Sequence, residues 1–303
     1  MEKAGRPLNV VTGAFSFSGS YIAARLLGMR ERVRTLTNHP RGDGSIEAAP
    51  LDFRNPEELT RNLAGAEVLY NTFWVRFARG AVNHETAVEN TRALVHAAEQ
   101  AGVRRMVHIS VANPSSDSPL PYFKGKAAVE ELIRSSSLSY AILRPVVVFG
   151  KEDILINNIA WLLRRFPFFA IPGTGNYGLQ PIFVEDLAVL AVEAGHGRES
   201  LVMDAVGPEI YKYEDLVRLI GRTVGSRNRI VHVSPSLVRL ASWILGKLVH
   251  DVVLTKDEVS ALMANLLVSK QPPTGKTSLR AWLHDNAKTI GARYASELGR
   301  HYQ

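Results

Sequence analysis

The sequence predicts an α/β fold in which a doubly wound, parallel sheet is followed by a smaller, mostly helical C-terminal part. Two observations lead to this prediction. Through the first half of the chain, short apolar runs rich in β-branched residues alternate with longer segments whose apolar residues recur three and four apart. Beyond about Gly150 this alternation stops, and proline and glycine become frequent.

The apolar runs of the first half predict six strands, joined by helices. The strands are expected at Leu8–Thr12, Val33–Thr37, Glu47–Ala49, Val68–Asn71, Met106–Ser110 and Ala141–Leu143. The helices are expected at about Gly19–Leu27, Pro56–Leu63, Asn83–Ala101 and Tyr122–Ser135. Since crossovers between parallel strands are right-handed, a three-layer sheet of the Rossmann type is the simplest topology.

The second half predicts a different organisation. Helices are expected at Val184–Ala194, Tyr213–Val224, Pro235–Leu248 and about Ser278–Leu298, with short strands at Leu201–Val206 and Ile230–Val233. We therefore expect a Rossmann domain over residues 1–150 and a C-terminal part over 151–303. Within the latter, residues 179–206 are expected to return to the Rossmann core, and the rest to form a small helical subdomain.

Composition narrows the functional classes. The chain has no cysteine, which excludes disulfides, a thiolate nucleophile and cysteine-ligated metal, and we expect no metal site. No apolar run approaches the length of a membrane span, and the N-terminal sequence lacks a secretory pattern, so a cytoplasmic protein is expected. The net charge is +7, but its basic residues come in pairs such as Arg104-Arg105 and Arg164-Arg165. This pattern predicts a solvated basic surface and no nucleic-acid partner.

The segment from Val10 to Gly19 has the pattern of a phosphate-binding turn, because it follows a buried strand and opens a helix. Gly13 permits the tight turn, and Gly19 permits close packing of helix on strand. The middle glycine of such turns is replaced by Ser16, which allows close approach if its φ is negative and can donate its hydroxyl to phosphate. Phe15 and Phe17 are also predicted to contact the cofactor. The alternative to a phosphate-binding turn is an ordinary turn between a strand and a helix.

The end of the second strand indicates which dinucleotide would bind. An acidic residue there binds the ribose 2′-hydroxyl of NAD, but residues 35–41 contain neither Asp nor Glu. Thr37, Asn38 and Arg41 are predicted cofactor contacts, and the donors of this segment favour NADP(H). NAD(H) remains the alternative, in which case Arg41 points into water.

Four segments in order give the chain a family resemblance: the strand–turn–helix, Leu51-Asp52-Phe53, Tyr122-Phe123-Lys124-Gly125-Lys126, and Leu143 to Gly150 with its Leu-Arg-Pro start. Together they resemble the short-chain dehydrogenase/reductase superfamily over about residues 8–195. The similarity is to its extended or atypical members, namely NAD-dependent epimerase/dehydratase-like, NmrA-like and complex I accessory-subunit-like proteins. The resemblance implies adenine contacts by Asp52 and Phe53, cofactor contacts by Thr72 and Phe73, and a nicotinamide border from Pro145 to Val148.

The Tyr122/Lys126 pair has a chemical logic of its own. Four residues apart on a helix, the two side chains share a face, and a nearby ammonium lowers the pKa of the phenol. Tyr122 would then exchange a proton with substrate, and Lys126 would also bind the nicotinamide ribose. The family's usual Ser or Thr after the fifth strand corresponds to Val111, with Ser110 one residue early. Either Ser110 acts through another loop path, or Asn113 replaces it, or the triad is incomplete.

Two functions follow as hypotheses. The first is an NAD(P)-dependent oxidoreductase or epimerase-like enzyme on a small substrate, with Tyr122, Lys126 and Ser110 as catalytic residues. The second is a non-catalytic, dinucleotide-binding sensor or assembly protein. Expected substrate-lining residues are Trp74, Arg76, Asn157, Asn158 and Tyr177.

The segment 235–253 combines an apolar helical stripe with Trp243 and basic residues at its border. An amphipathic helix of this kind normally covers a domain core, and this is the expectation here. The alternative is an interfacial helix that docks weakly on a membrane or a protein partner, which would make the protein peripheral at a membrane.

Overall fold

The computed structural model describes residues 6–41, 44–78, 80 and 82–301, the side chains of residues 300 and 301 excepted. In chain order its first elements are β1 (Leu8–Thr12), α1 (Phe17–Gly28), β2 (Arg32–Leu36), β3 (Glu47–Ala49), α2 (Pro56–Leu63), β4 (Ala66–Asn71), α3 (His84–Gln100), β5 (Arg105–Ile109), α4 (Pro121–Arg134) and β6 (Ser139–Pro145). They are followed by β7 (Val148–Phe149), α5 (Leu155–Arg165), β8 (Phe168–Pro172), β9 (Gly178–Leu179), β10 (Ile182–Phe183), α6 (Val184–His196) and β11 (Leu201–Ala205). The last are β12 (Tyr211–Lys212), α7 (Tyr213–Thr223), β13 (Arg229–Val233), α8 (Pro235–Val249), α9 (Lys256–Met263), α10 (Leu279–Asp285) and α11 (Glu297–His301).

The chain divides into two compact units, each made of two segments. The first unit contains residues 1–145 and 184–205, and the second contains residues 146–183 and 206–303. Each interruption falls at the end of a strand, because β6 ends at Pro145 and β11 ends at Ala205.

The first unit is built on a seven-stranded sheet, as far as the described residues show, in the order β11-β6-β5-β4-β1-β2-β3. All of its neighbouring strands are parallel. Helices α2, α3 and α4 bury their apolar faces against one side of the sheet, with Leu59, Leu94 and Val129 in the shared core. Helices α1 and α6 pack together and α6 lies against β4, β5 and β6. The predicted doubly wound α/β fold is confirmed.

Strand β1 is buried along its whole length. Three of its five residues are apolar, as is common in a strand covered on both faces. Its one amide, Asn9, donates to the Glu31 carboxylate at 2.5 Å. Strand β1 lies between β4 and β2, and this position sets the place of the turn that follows it.

The predicted solvated basic pairs are wrong in one respect. Arg105 is fully buried, and its guanidinium donates to the carbonyls of Ala194 (2.7 Å) and Glu199 (2.9 Å) and to the Ser139 hydroxyl. In the second unit, Arg164 donates to carbonyls of the segment 287–290, and Arg165 to carbonyls of Gly291 and Ala292. These arginines hold chain segments together, because a guanidinium can satisfy several carbonyls at once.

The second unit has its own core and three small two-stranded sheets among the described residues: β7 with β10, β9 with β12, and β8 with β13. The single helix predicted at about Ser278–Leu298 is wrong, since helix α10 ends at Asp285 and α11 begins only at Glu297. Between them Gly291 has a φ of +65°, and an added Cβ there would lie 2.4 Å from the Trp161 backbone nitrogen. Close packing on α5 therefore replaces helix at this point.

Helix α8 corrects a second expectation. Within it only Val238 is buried, and most of its large apolar side chains are exposed, so it does not simply cover a core.

Candidate functional site: the β1–α1 turn and its surroundings

The turn after β1 has the backbone geometry that a phosphate-binding turn needs. Gly13 has a φ of +70°, a conformation that L side chains rarely adopt, and its amide donates to the Leu36 carbonyl at 3.0 Å. An added Cβ on Gly19 would lie 2.2 Å from the Gly13 carbonyl oxygen. Both glycines are therefore required: Gly13 by its conformation, and Gly19 by direct contact between the helix start and the turn.

Ser16 is compatible with close approach of a ligand. It is the N-cap of α1 with a φ of −83°, so its backbone is extended and unstrained. Its side chain makes no capping hydrogen bond, and the first turn of α1 contains no acidic residue. The flanking Phe15 and Phe17 are half-buried. This end of the helix, with its amide groups and positive dipole end, suits the pyrophosphate of a dinucleotide.

The ends of β1 and β4 are joined by a threonine pair. The Thr12 hydroxyl accepts from the Thr72 amide (2.9 Å) and the Phe73 amide (3.2 Å), and the Thr72 hydroxyl donates to the Thr12 carbonyl at 2.5 Å. Thr72 also lies beside Gly13, because its hydroxyl would be 3.7 Å from a Cβ added there. The structure thus brings Thr72 and Phe73, both predicted cofactor contacts, to the turn.

Phe53 lies in the same place. Its ring packs on that of Phe73 with 4.8 Å between centroids, which gives the β1–β4 edge an aromatic surface. The Asp52 side chain binds its neighbour Arg54. Its carboxylate accepts from the Arg54 amide at 3.0 Å and pairs with the Arg54 guanidinium. These interactions, the amide bond first, lower the pKa of the Asp52 carboxyl.

The segment after β2 is only partly available to a ligand. The Asn38 side chain binds the Leu51 backbone in both directions, donating to its carbonyl (2.9 Å) and accepting from its amide (3.2 Å). The Thr37 hydroxyl accepts from the His39 amide at 3.1 Å. Asn38 therefore braces this turn, while the Arg41 side chain is exposed.

The predicted Tyr122/Lys126 pair lies on α4, in an aromatic cluster with Trp74 and His84. The Tyr122 ring meets the Trp74 ring edge-on at 6.0 Å. Lys126 is buried, its Nζ donates to the Ile109 carbonyl at 2.7 Å, and the same atom lies 4.5 Å from the Trp74 ring centroid. Burial lowers the pKa of Lys126 to about 7, although the nearby Glu130 carboxylate opposes this shift.

Ser110 faces a buried carboxylate. Its hydroxyl donates to Glu130 at 2.6 Å, and the same carboxylate accepts from Arg144 (2.9 and 2.5 Å) and Arg134 (3.1 Å). Glu130 is a site residue that the sequence analysis missed. The available signal was its position on α4, one turn beyond Lys126 and on the same helix face as Tyr122 and Lys126.

The remaining predicted contacts divide between the units. Pro145 ends β6 in the first unit, where its carbonyl accepts from the Ala112 amide at 2.8 Å, whereas Val148 begins β7 in the second.

The predicted substrate-lining residues are bound within their own units. The Asn158 side chain donates to the Ala295 carbonyl and accepts from the Ala295 amide, so it has a structural role within the second unit. Asn157 and Tyr177 are likewise hydrogen-bonded within that unit, to Asp153 and to the Pro172 carbonyl. In the first unit, the Arg76 guanidinium lies 5.8 Å from the Phe77 ring centroid.

The described residues contain no group of three or more histidine and acidic side chains placed to hold a metal ion. They also contain no helix with the length and hydropathy of a membrane span.

Comparison with known proteins agrees with this geometry. A family model described as NAD(P)H-binding matches residues 13–154. In structure, the chain is similar to a nucleoside-diphosphate-sugar epimerase from Staphylococcus aureus (TM-score 0.71, 16% identity, 91% of this chain and 99% of that one). It is also similar to MoeE5 in complex with UDP-glucose and NAD (TM-score 0.67, 21% identity, 92% and 97%). The family model, the fold and the turn together indicate an NAD(P)-binding protein that is similar to short-chain dehydrogenases/reductases.

Proteins that are similar to this chain in sequence give a more specific comparison. It is 24% identical to the Arabidopsis thaliana protein named NADH dehydrogenase [ubiquinone] 1 alpha subcomplex subunit 9, mitochondrial, over 86% of this chain and 70% of that protein. It is 23% identical to the photosystem II assembly factor Ycf39 of Cyanophora paradoxa, over 91% of each. The chain is thus similar to complex I subunits and to Ycf39 assembly factors, and the predicted family resemblance is confirmed.

Proposed function

We propose that this protein binds NADP(H) as a structural or sensory ligand and serves a larger assembly, without turning the dinucleotide over. One observation carries this proposal: the hydroxyl and the ammonium that catalysis would use are both bound within the fold. Ser110 donates to Glu130, and Lys126 donates to the Ile109 carbonyl.

The Ser110 hydroxyl is poorly suited to orient a substrate oxygen. Its one proton is directed at a buried carboxylate, and a hydrogen bond to a charged group contributes about 1.5–3 kcal/mol. A substrate carbonyl would have to compete with that bond for the proton. Two arginines fix the Glu130 carboxylate, so it does not turn away readily.

Lys126 is also poorly suited to activate Tyr122. A phenol loses its proton more easily beside a positive charge, but with a pKa of about 7 the lysine is only partly charged at neutral pH. Its Nζ is held between the Ile109 carbonyl and the Trp74 ring. These contacts support a packing and cofactor-facing role for Lys126 more than a catalytic one.

The names of the relatives support the same proposal. One is named as a subunit of a mitochondrial NADH dehydrogenase, and another is named as a photosystem II assembly factor. The solved epimerases share the fold at 16–21% identity, which says nothing about the reaction.

For the cofactor we propose NADP(H) in preference to NAD(H). The support is the segment after β2, which has no carboxylate to repel a 2′-phosphate and ends in the exposed Arg41. Arg41 is the one permanently charged side chain of residues 35–41, so the proposed preference rests on it.

The test combines binding with turnover. Calorimetry is expected to show NADPH binding in the wild type and, within about twofold, in Tyr122→Phe, since this change keeps the ring packing. NADPH absorbance followed over a panel of ketones, aldehydes and nucleotide sugars is expected to show no turnover in either protein. Turnover that is present in the wild type and lost in Tyr122→Phe would establish the oxidoreductase instead.

A further inference from the structure

Helix α8 has two apolar faces, of which the protein covers one. Val238 is buried, and Leu245 and Val249, which follow it at helical spacing, are half-buried. The other face carries Leu237, Leu240, Ile244 and Leu248, whose side chains are between 50% and 72% exposed.

These four leucine and isoleucine residues form a continuous stripe. Their positions are three, seven and eleven residues beyond Leu237, which places them on one side of a helix with 3.6 residues per turn. Single exposed apolar residues are common on soluble proteins, but a contiguous stripe of this length indicates an interaction surface.

The charge of the chain is concentrated in the unit that carries this stripe. The first unit has 19 Lys and Arg against 19 Asp and Glu, whereas the second has 17 against 10, so the whole net charge of +7 belongs to the second unit. Helix α8 itself contains Arg239 and Lys247 and no acidic residue. The exposed stripe therefore lies in a positively charged unit.

The border of the stripe is amphipathic. Trp243 is 63% exposed, and the Lys247 ammonium lies 5.7 Å from its ring centroid. Tryptophan and lysine side chains of this kind are favoured at the level of lipid headgroups, where an apolar body and a polar tip are both accommodated.

A second exposed group of the same composition lies on the strand against which α8 packs. Phe168 begins β8, is 56% exposed, and stands opposite Arg229 of β13 in the strand register. With Phe166 and Arg227 these residues line a surface recess of about 770 Å³. Aromatic and basic side chains are thus found together at both places.

The helix is already formed and anchored. The Ser234 side chain caps its first turn, and its last turn ends at His250 in the left-handed conformation. Next to it, the buried Asp251 carboxylate accepts from the Glu297 and Leu298 amides at 2.8 and 3.1 Å. Binding through the stripe therefore needs no helix formation, which would otherwise cost conformational entropy.

We propose that α8 docks the second unit on an anionic lipid bilayer, with the stripe of Leu237, Leu240, Ile244 and Leu248 in the headgroup region. The stripe offers no hydrogen-bonding group to a protein partner, whereas its apolar side chains, the Trp243/Lys247 border and the surplus of positive charge match an anionic interface. This proposal is independent of whether the dinucleotide is turned over.

The experiment is flotation of the full chain with phosphatidylcholine vesicles, with or without phosphatidylglycerol. At low salt we expect at least about tenfold more protein to float with the anionic vesicles, and high salt to reduce this, because exposed charges are screened. Trp243 is expected to report insertion as a blue shift of tryptophan fluorescence. Absence of flotation at low salt overturns the proposal.

The double variant Ile244→Glu/Leu248→Glu places two carboxylates in the stripe and is expected to lose at least about tenfold in vesicle binding. Ile210→Glu is the matched control, since Ile210 is 60% exposed in the same unit but outside α8. Circular dichroism checks that both variants fold. Equal flotation of the double variant and the control overturns the proposal. So does a concentration-dependent dimer of the wild type that the double variant abolishes, because the occupant would then be a second copy.

Discussion

Gly19→Ala tests most directly whether the β1–α1 turn is the dinucleotide site. The added Cβ would lie 2.2 Å from the Gly13 carbonyl oxygen, against about 3.4 Å for ordinary contact, so the start of α1 has to move by about 1.2 Å. Hydrogen bonds from backbone amides to phosphate span about 2.7–3.2 Å and weaken steeply beyond that. Loss of one or two such bonds, at about 1.5–3 kcal/mol each, lowers dinucleotide affinity about 100-fold.

The assay is calorimetric titration with NADPH and NADH, paired with urea unfolding. Overpacking of this kind is expected to cost about 1–3 kcal/mol of stability, so the variant should remain folded at low temperature. Gly28→Ala is the matched control, since Gly28 ends the same helix and an added Cβ there meets nothing within 4 Å. It is expected to leave affinity unchanged. A folded Gly19→Ala protein with wild-type affinity would refute the assignment of the site.

Three further predictions concern charged side chains of the first unit. Glu130→Gln leaves Arg134 and Arg144 without their carboxylate and is expected to reduce the free energy of unfolding by about 3 kcal/mol, measured by urea denaturation; a loss under about 1 kcal/mol would contradict this. Burial holds the pKa of Lys126 near 7, so between about pH 7 and 10 the unfolded chain binds the proton and the folded chain does not. Stability should therefore rise with pH over this range, by at most about 1.4 kcal/mol per pH step of one, and Lys126→Met should abolish the rise. Arg41→Ala should weaken NADPH about tenfold and leave NADH unchanged in calorimetry, and an equal loss for both would remove the basis for the NADP(H) preference.

The sequence predicted the first unit well because its local signals and its tertiary environment agree. Strands β1 and β3 and helix α2 have the predicted ends, and the other elements up to β6 differ by one or two residues at most ends. Strands buried on both faces are mostly apolar, and helices covered on one face are periodic, so pattern and burial give the same answer.

The second unit was predicted less well because tertiary contacts decide its local structure. Residues 286–296 have a helical composition, yet Gly291 packs against the α5 backbone too closely for a helix to continue. Helix α9 was missed although the sequence holds its signal, a capping box in which the Thr255 and Glu258 side chains each bind the other's backbone amide.

The candidate site likewise has some features that the sequence predicted and others that it could not. Gly13 and Gly19 were predictable because backbone conformation and close approach leave only glycine. The hydrogen bond from Ser110 to Glu130 was not predictable from the sequence. It depends on Glu130, Arg134 and Arg144, which are 20, 24 and 34 residues away from Ser110 in sequence. Hydrogen bonds between side chains on different elements leave no periodic trace.

The division of each unit into two chain segments affects how the protein folds during synthesis. Strand β11 completes the sheet by pairing with β6, but about 55 residues separate the end of β6 from the start of β11. At about 5–20 residues per second, the ribosome needs roughly 3–11 seconds to supply the missing strand. Throughout that interval the outer edge of β6 presents unpaired amide and carbonyl groups, a template on which another nascent chain can add a strand. Slower translation across residues 146–200 would therefore prolong the exposure of the β6 edge, and faster translation would shorten it.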